Sequence, residues 1–328
     1  MKRVGLAAAI AACLALFLIA PDIPRDLRSL IHFYDFGHVP LFALIALLAD
    51  AFLRSTAAAR PAIRSPLRRR LLLLGGCVAV GVAVEIAQGL TGRDMESSDV
   101  LRDAAGAVSG LLAISAWEIR ARPRRALLPL ALAAMPALVA FLPVGLALLD
   151  ERRGLTELPV LADFETPGQL SRFTWQDCRP ELVEAGDGHA VRVRLLPGRY
   201  PRFGLRFFPR DWRGSAALSF TCVNPSASPF RLVIRVDDEH HDGAFGDRFT
   251  TSRILPPGRT TVVLPLEAIA AGPRRRRLDL GAVRSLILYG VNLKTPQDLV
   301  VDDFRLLPDL PPGSVPDPPS SPRLPAGA

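Results

Sequence analysis

Lysine is almost missing from this chain of 328 residues. Lys2 and Lys294 are the only two, so the net charge of +8 is carried by arginine. Cysteine is scarce as well, and four residues exclude a small disulfide-knotted fold. Aromatic residues reach only 7 %, which leaves little material for a stacking platform. After Asp150 no apolar run approaches the ~20 residues that cross ~30 Å of hydrocarbon. No serine or cysteine nucleophile motif is present. What the chain does have is apolar side chains. Hydrophobic residues make up 49 % and charged residues 22 %, which excludes a disordered or collagenous chain and requires the two kinds to be segregated. The length suits about two domains.

The segregation falls near residue 150. Three stretches before it are of membrane length or close to it: Val4 to Ala20, Leu71 to Leu90 and Ala126 to Leu149. Val39 to Leu53 is short, and Val100 to Ile119 carries Arg102 and Asp103, but the charge pattern needs both as spans. The first stretch has the basic start of a signal peptide; without a small-x-small pattern before Pro21, and with further spans following, it reads as an uncleaved helix. Twelve arginines and lysines then stand on one side, among them Arg54, Arg68 to Arg70 and Arg120 to Arg125, against Arg25, Arg28 and Arg93 on the other. The positive-inside rule puts the N-terminus in the cytoplasm and, after five spans, the C-terminal half outside the cytoplasmic membrane. The basic charge is thereby a topology signal and calls for no nucleic acid.

Polar residues inside the apolar half share faces. Asp35 and His38 are spaced i,i+3, Glu85 and Gln88 i,i+3, and Asp99 and Asp103 i,i+4; Arg93 lies in the short loop between. An ion within a membrane helix costs roughly 2.5–3.5 kcal/mol at the centre, so these groups are expected to face one another in a pocket at the outer surface, with Arg93 and Arg102 as counter-charges. The alternative is a salt-bridged clasp that only fixes packing. Asp50 reads as a snorkelling interface residue. Gly106 and Gly110, four apart, would bring the helix of Asp99 and Asp103 close to a neighbour. Pro129, Pro136 and Pro143 share one face and predict a kinked helix packed against protein.

Asp35-Phe-Gly-His38, then Glu85-Ile-Ala-Gln88, Arg93, Ser98-Asp99, Asp103, Gly106 and Gly110 resemble the motifs of the VanZ-like (teicoplanin-resistance) membrane family in order and spacing. The resemblance spans roughly residues 5 to 118. Phe36 stands where that family often has lysine, and Asp103 where it often has asparagine. The resemblance implies an envelope-associated membrane protein, some relatives of which lower sensitivity to glycopeptides; it implies no agreed mechanism.

From Val160 the pattern changes to short alternating stretches: AVRVRLL from Ala190, AALSFTC from Ala216, FRLVIRV from Phe230, RTTVVLPL from Arg259, SLILYGV from Ser285 and DLVVDDFRLL from Asp298. Period-two alternation argues strands, and Asp187-Gly188, Pro197-Gly198 and Pro257-Gly258 punctuate them. Eight or more strands favour an antiparallel sandwich. The fold class is therefore a bundle of about five transmembrane helices over residues 1–150, an all-β antiparallel sandwich over 151–307, and a Pro-rich extended tail over 308–328. Asp163-Phe164-Glu165, Asp211-Trp212 and Val301-Asp302-Asp303-Phe304 resemble, in order, a galactose-binding-like jelly roll of the carbohydrate-binding-module kind. Related modules hold a structural calcium, and Glu165 and Asp303 are the ligands that this resemblance implies. Cys178 and Cys222 both lie in this half, and sequence alone leaves their pairing open. The loop Asp237 to Asp242 with Asp247 reads as a polar rim more than as a metal site, because adjacent His240 and His241 point to opposite faces. With Trp212, Tyr200 or Tyr289 such a rim would bind sugar. Arg274 to Arg277 read as a solvated loop or as a patch for anionic lipid heads or wall polymers.

Three functions follow. The first is an envelope protein embedded in membrane lipid, holding a polar or lipid-linked envelope precursor in the pocket and glycan on the sandwich. The second is a membrane hydrolase or transferase using His38 with Asp35, Glu85 and Asp99. The third is a proton-coupled transporter using Glu85 and Asp103, which the lack of an internal repeat disfavours. Oligomeric state is not legible.

Overall fold

In the computed structural model, residues 2–19, 27–56, 65–90, 97–166, 168–186 and 188–311 are described. The chain forms two compact units, Met1–Leu148 and Leu149–Ala328.

The first unit is helical: α1 (Lys2–Ile19), α2 (Arg28–Thr56), α3 (Pro66–Leu90), α4 (Ser97–Glu118) and α5 (Pro123–Glu157), whose last turns belong to the second unit. Among the described residues four helices, α2 to α5, are long and apolar enough to cross a membrane, whereas the apolar part of α1 described is shorter, Val4–Cys13. The helix α2 begins eleven residues before the apolar run that announced it, because Arg28, Ser29, His32, Asp35 and His38 interrupt the apolar pattern without breaking the helix. Asp35 and His38 thus lie two and nearly three turns inside α2 rather than at its start.

α2 and α4 meet through small residues. A Cβ on Gly106 would lie 2.4 Å from the Val39 carbonyl oxygen, and one on Gly110 2.6 Å from that of Ala43, so only glycine permits this approach. Phe42, Ala46 and Ala107 are fully buried there. The helix α5 departs from expectation. It is one continuous helix despite three internal prolines, and its apolar side chains, Leu138 and Leu142 among them, are largely exposed rather than packed against protein.

The second unit is an antiparallel β-sandwich with a five-residue helix, α6 (Leu266–Ala270). One sheet has the order β3 (Cys178–Ala185), β4 (Gly188–Leu195), β11 (Gln297–Leu307), β6 (Ala217–Asn224), β9 (Gly258–Pro265), with β1 (Val160–Ala162) also on β11. The other has the order β2 (Phe173–Gln176), β5 (Arg202–Leu205), β10 (Val283–Tyr289), β7 (Phe230–Asp238), β8 (Phe249–Leu255). Alternate residues of the facing sheets fill the core: Val191, Val193, Leu218, Phe220, Leu299 and Val301 from the first, and Phe203, Leu205, Leu232, Ile234, Leu286 and Leu288 from the second. Trp212, a sequence candidate for sugar stacking, is fully buried against Phe208 and presents no face to a ligand.

Cys178 and Cys222 are free. β4 and β11 separate their strands, about 14 Å at three strand spacings, beyond the ~7 Å that a disulfide spans. Burial pushes the Cys222 thiol up to about 12. Most of the Pro-rich tail lies outside the described residues.

Candidate functional sites

In the helical unit the polar residues form two separate clusters along the α2–α4 contact. At one end His38 stands between two carboxylates, its Nδ1 2.8 Å from Asp103 Oδ1 and its Nε2 3.6 Å from Asp99 Oδ2. Arg102 pairs with Asp99 and lies 3.5 Å from Asp35 Oδ2, and His32 Nδ1 is 3.6 Å from the same Asp35 oxygen. Asp103 is almost wholly buried. Its carboxylate lies against α3 at Gly81, where a Cβ would come within 2.6 Å of Oδ2; Glu85, buried, follows one turn later on α3, and Gln88 is half-buried beyond it. His38 is therefore oriented by Asp103, not by its helix neighbour Asp35. Asp35 instead faces Arg102 and His32. Arg93 lies outside the described residues.

At the other end, Asp50 is not a snorkelling residue. It is buried and takes Arg54 Nε at 2.5 Å and Arg69 Nε at 2.7 Å. Glu118 closes the cluster, pairing with Arg54 and, at 2.6 Å, with Arg70 Nη2. From Asp103 to Glu118 the rise along α4 is about 22 Å. Two ionic clusters thus bracket an apolar slab.

A cleft of about 530 Å³ opens beside the first cluster, between α2, α4 and α5. Val39, Ala105, Met135, Pro136 and Pro143 give it apolar walls, and His32, Asp35 and Arg102 give it polar groups. Of the predicted pocket residues that are described, Asp35 and the counter-charge Arg102 line it. His32 escaped the sequence reading, although it sits one turn before Asp35 on the same face.

In the sandwich, the outward face of the five-stranded sheet gathers polar and aromatic side chains in ladder rows. One row runs Gln176, Arg202, Tyr289, Val233, Ser252; the next runs Thr174, Gly204, Ile287, Arg235, Thr250. The five strands span about 19 Å. Alternation dictates this display, since Phe203, Leu288, Ile234 and Val236 point into the core between the outward residues. Tyr200 meets Tyr289 edge to face at 6.2 Å, and the Arg199 guanidinium lies 5.3 Å over Tyr200. Burial raises the Tyr289 hydroxyl pKa despite Arg248 and Arg235 nearby. Arg202 and Arg235 were missed in the sequence; their signal was arginine alternating with buried apolar residues, whereas Arg248 stood in the polar cluster beside Asp247.

The polar loop is a structural network. Asp238 and Asp247 both grip Arg276. Burial would raise Asp238, but Arg276 outweighs it and holds the carboxyl below its usual value; Arg276 does the same to Asp247. The arginine run is thereby partly engaged, with Arg277 on Glu267. His241, Asp242 and Asp247 bring ligand-type atoms within 4.8 Å of one another. His241 is already committed, however: Nδ1 donates to the Asp247 carbonyl at 2.9 Å and Nε2 accepts from Arg235 at 3.1 Å. Of the two residues implied for calcium, Glu165 accepts from the His189 backbone N–H at 2.7 Å, and Asp303, on a bulge of β11, pairs with Arg305. Asp302 beside it has its carboxyl pushed up to about 6, first by burial.

The most buried basic group of this unit is held by acids. Arg172, 1 % exposed, forks onto Asp150 at 2.9 and 3.0 Å, reaches Glu157 at 2.9 Å and donates to the Leu161 carbonyl at 2.7 Å. Burial works against its charge, and the carboxylates more than offset that.

No protein-family model and no curated protein matches the chain. Solved structures are similar to its C-terminal half. One is a family 11 carbohydrate-binding module from Clostridium thermocellum in complex with a β-1,3-1,4-mixed-linked tetrasaccharide, 17 % identical, covering 45 % of this chain and 94 % of that one, with a TM-score of 0.38. Another is an exo-β-agarase, 19 % identical, covering 46 % of this chain and 25 % of that one, with a TM-score of 0.39. A third is a family 28 module specific for non-crystalline cellulose, 11 % identical, covering 46 % and 94 %, with a TM-score of 0.33.

Proposed function

We propose that the chain is an integral membrane protein of the bacterial envelope, of the VanZ-like type, whose helical unit holds an amphipathic, lipid-linked envelope compound and whose sandwich holds glycan outside the cytoplasm. The observation that carries the membrane assignment is the reversed burial of the helical unit. Leu138 is 70 % exposed and Asp103 2 %. In water that arrangement would leave a large apolar surface unsatisfied; against lipid it costs nothing. The arginine-rich ends of α2, α3, α4 and α5 then face the cytoplasm. The cleft suits a ligand with an apolar chain against Met135 and Pro136 and a polar head at His32, Asp35 and Arg102. A role in envelope maintenance or glycopeptide resistance follows from the motif resemblance.

The sandwich reading rests on Tyr289 and Tyr200 among hydrogen-bonding side chains on one open sheet face. Its test is binding of soluble envelope glycans by the full chain in detergent. Tyr289→Ala is expected to weaken retention; retention unchanged in Tyr200→Ala and Tyr289→Ala would overturn the assignment. For the cleft, native mass spectrometry of the purified protein is expected to show a co-purifying lipid that Ala105→Trp displaces. An identical lipid complement in both proteins would remove that reading.

A second reading is favoured by one observation, the carboxylate–imidazole–carboxylate arrangement of Asp103, His38 and Asp99, which suits acid–base work on a lipid-linked glycan. His38 is not among the residues lining the cleft, which favours binding over catalysis. Turnover of a lipid-linked sugar that His38→Ala abolishes would reverse that order.

A further inference from the structure

The outward face of the five-stranded sheet holds more positive charge than its acids balance. Arg202, Arg231 and Arg235 project from it by alternation with Phe203, Leu232, Ile234 and Val236. Arg248 precedes β8 beside the row that pairs Arg235 with Thr250, its guanidinium 4.8 Å over the Phe245 ring. Asp237 is the carboxylate set among them, and it is spent on Arg235 at 2.8 Å and Ser285 Oγ at 3.0 Å.

Two polar atoms in this patch are left over. Arg248 Nε and Thr250 Oγ1 are both shielded from solvent, and neither has a hydrogen-bond partner among the described residues. Leaving a buried donor unmatched costs ~1–3 kcal/mol, more for a charged group, so such atoms mark places where something else binds. Burial and then the neighbouring Arg235 hold the Arg248 guanidinium below its usual pKa, and Asp237, already paired with Arg235, offsets this only in part. Tyr289 stands one ladder row from Arg235 on the same sheet face.

We propose that Arg248, with Arg235 and Thr250, forms an anion subsite on the glycan-binding face, and that the ligand is an acidic polysaccharide whose carboxylate or phosphate group enters this subsite while a sugar ring lies on Tyr289. A planar guanidinium gives such a group two parallel charge-assisted hydrogen bonds, and the Thr250 hydroxyl supplies another donor. This inference rests on the glycan-binding reading of the sandwich and adds the charge of the ligand.

The test uses the full chain in detergent, titrated with three soluble probes: a galacturonate oligosaccharide, a poly(glycerol phosphate) oligomer and a neutral mixed-linked β-glucan oligosaccharide. One of the acidic probes is expected to bind about tenfold tighter than the neutral one, an advantage that shrinks as salt rises from about 50 to about 500 mM. The better acidic probe identifies carboxylate or phosphate as the group. Arg248→Gln is expected to remove most of that advantage, weakening the acidic probe far more than the neutral one, and to keep the melting temperature; Thr250→Val repeats the effect in smaller measure without altering charge. Equal or tighter binding of the neutral probe, or equal weakening of acidic and neutral probes by Arg248→Gln, overturns the inference and leaves the glycan reading standing. Failure to bind all three probes overturns the glycan reading and the inference together.

Discussion

The two halves of the molecule bury opposite things. The sandwich hides leucine, valine and phenylalanine and displays arginine; the helical half hides Asp50, Glu85 and Asp103 and displays leucine. The same rule operates in both, since a side chain goes where its surroundings resemble it least expensively. On the proposed membrane placement the helices obey it for an apolar surrounding and the strands for an aqueous one. Burial therefore reports on the solvent of each half as much as on its fold.

That contrast has exceptions, Asp238 and Arg172 among them, and Arg172 offers the sharpest way to break it. Arg172 is a fully buried ion inside the water-facing half. Arg172→Ala removes the guanidinium that neutralises buried Asp150 and is expected to lose about 3–5 kcal/mol, read by chemical denaturation of the full chain. A loss below about 1 kcal/mol would mean the apolar core alone sets that half's stability. Next in size is Gly106→Ala. Its methyl would meet the Val39 carbonyl at 2.4 Å, so overpacking of about 1–3 kcal/mol is expected as a lower melting temperature in detergent. Gly75→Ala on α3, where nothing lies within 4 Å of the new methyl, is expected to leave the melt unchanged or slightly raised.

The smallest effect is a pH dependence on the outer face of the six-stranded sheet. Burial pushes the Asp302 carboxyl up to about 6, from 3.8. Between those values the folded chain holds a proton that the unfolded chain has released, so stability falls as pH rises through the window. Asp302→Asn is therefore expected to melt higher than the parent above pH 6 and to coincide with it below pH about 4. Parallel curves at all pH values would show that the site is better solvated than its burial implies.

Much of the sandwich was legible because alternation is strict where both neighbours are sheet. The stretches beginning at Ala190, Ala216, Phe230, Arg259, Ser285 and Asp298 became β4, β6, β7, β9, β10 and β11. The strands that escaped are short or lie at edges: β2 and β5 have four residues each, β1 has three, β8 closes the five-stranded sheet, and β3 carries Pro180 with most of its side chains exposed. In the helical half the polar residues were visible, but their partners were not. Spacing along one helix shows which residues share a face; it does not reveal that His38 meets α4, or that Asp50 meets Arg69 across nineteen positions. The arginines on the outward face of the five-stranded sheet were hidden for a related reason, since they come together only when register aligns β5, β7 and β10.

The cleft beside the first ionic cluster is bounded unequally. Its α2–α4 side is welded by glycine contacts and by ion pairs at both ends, His38–Asp103 and Arg102–Asp35 at one and Arg54–Glu118 at the other. Its α5 side is a proline-bearing helix that buries little of itself. A guest of variable girth would therefore be accommodated by the yielding wall, while the rigid one keeps Asp35 and Arg102 in register with whatever headgroup the guest carries.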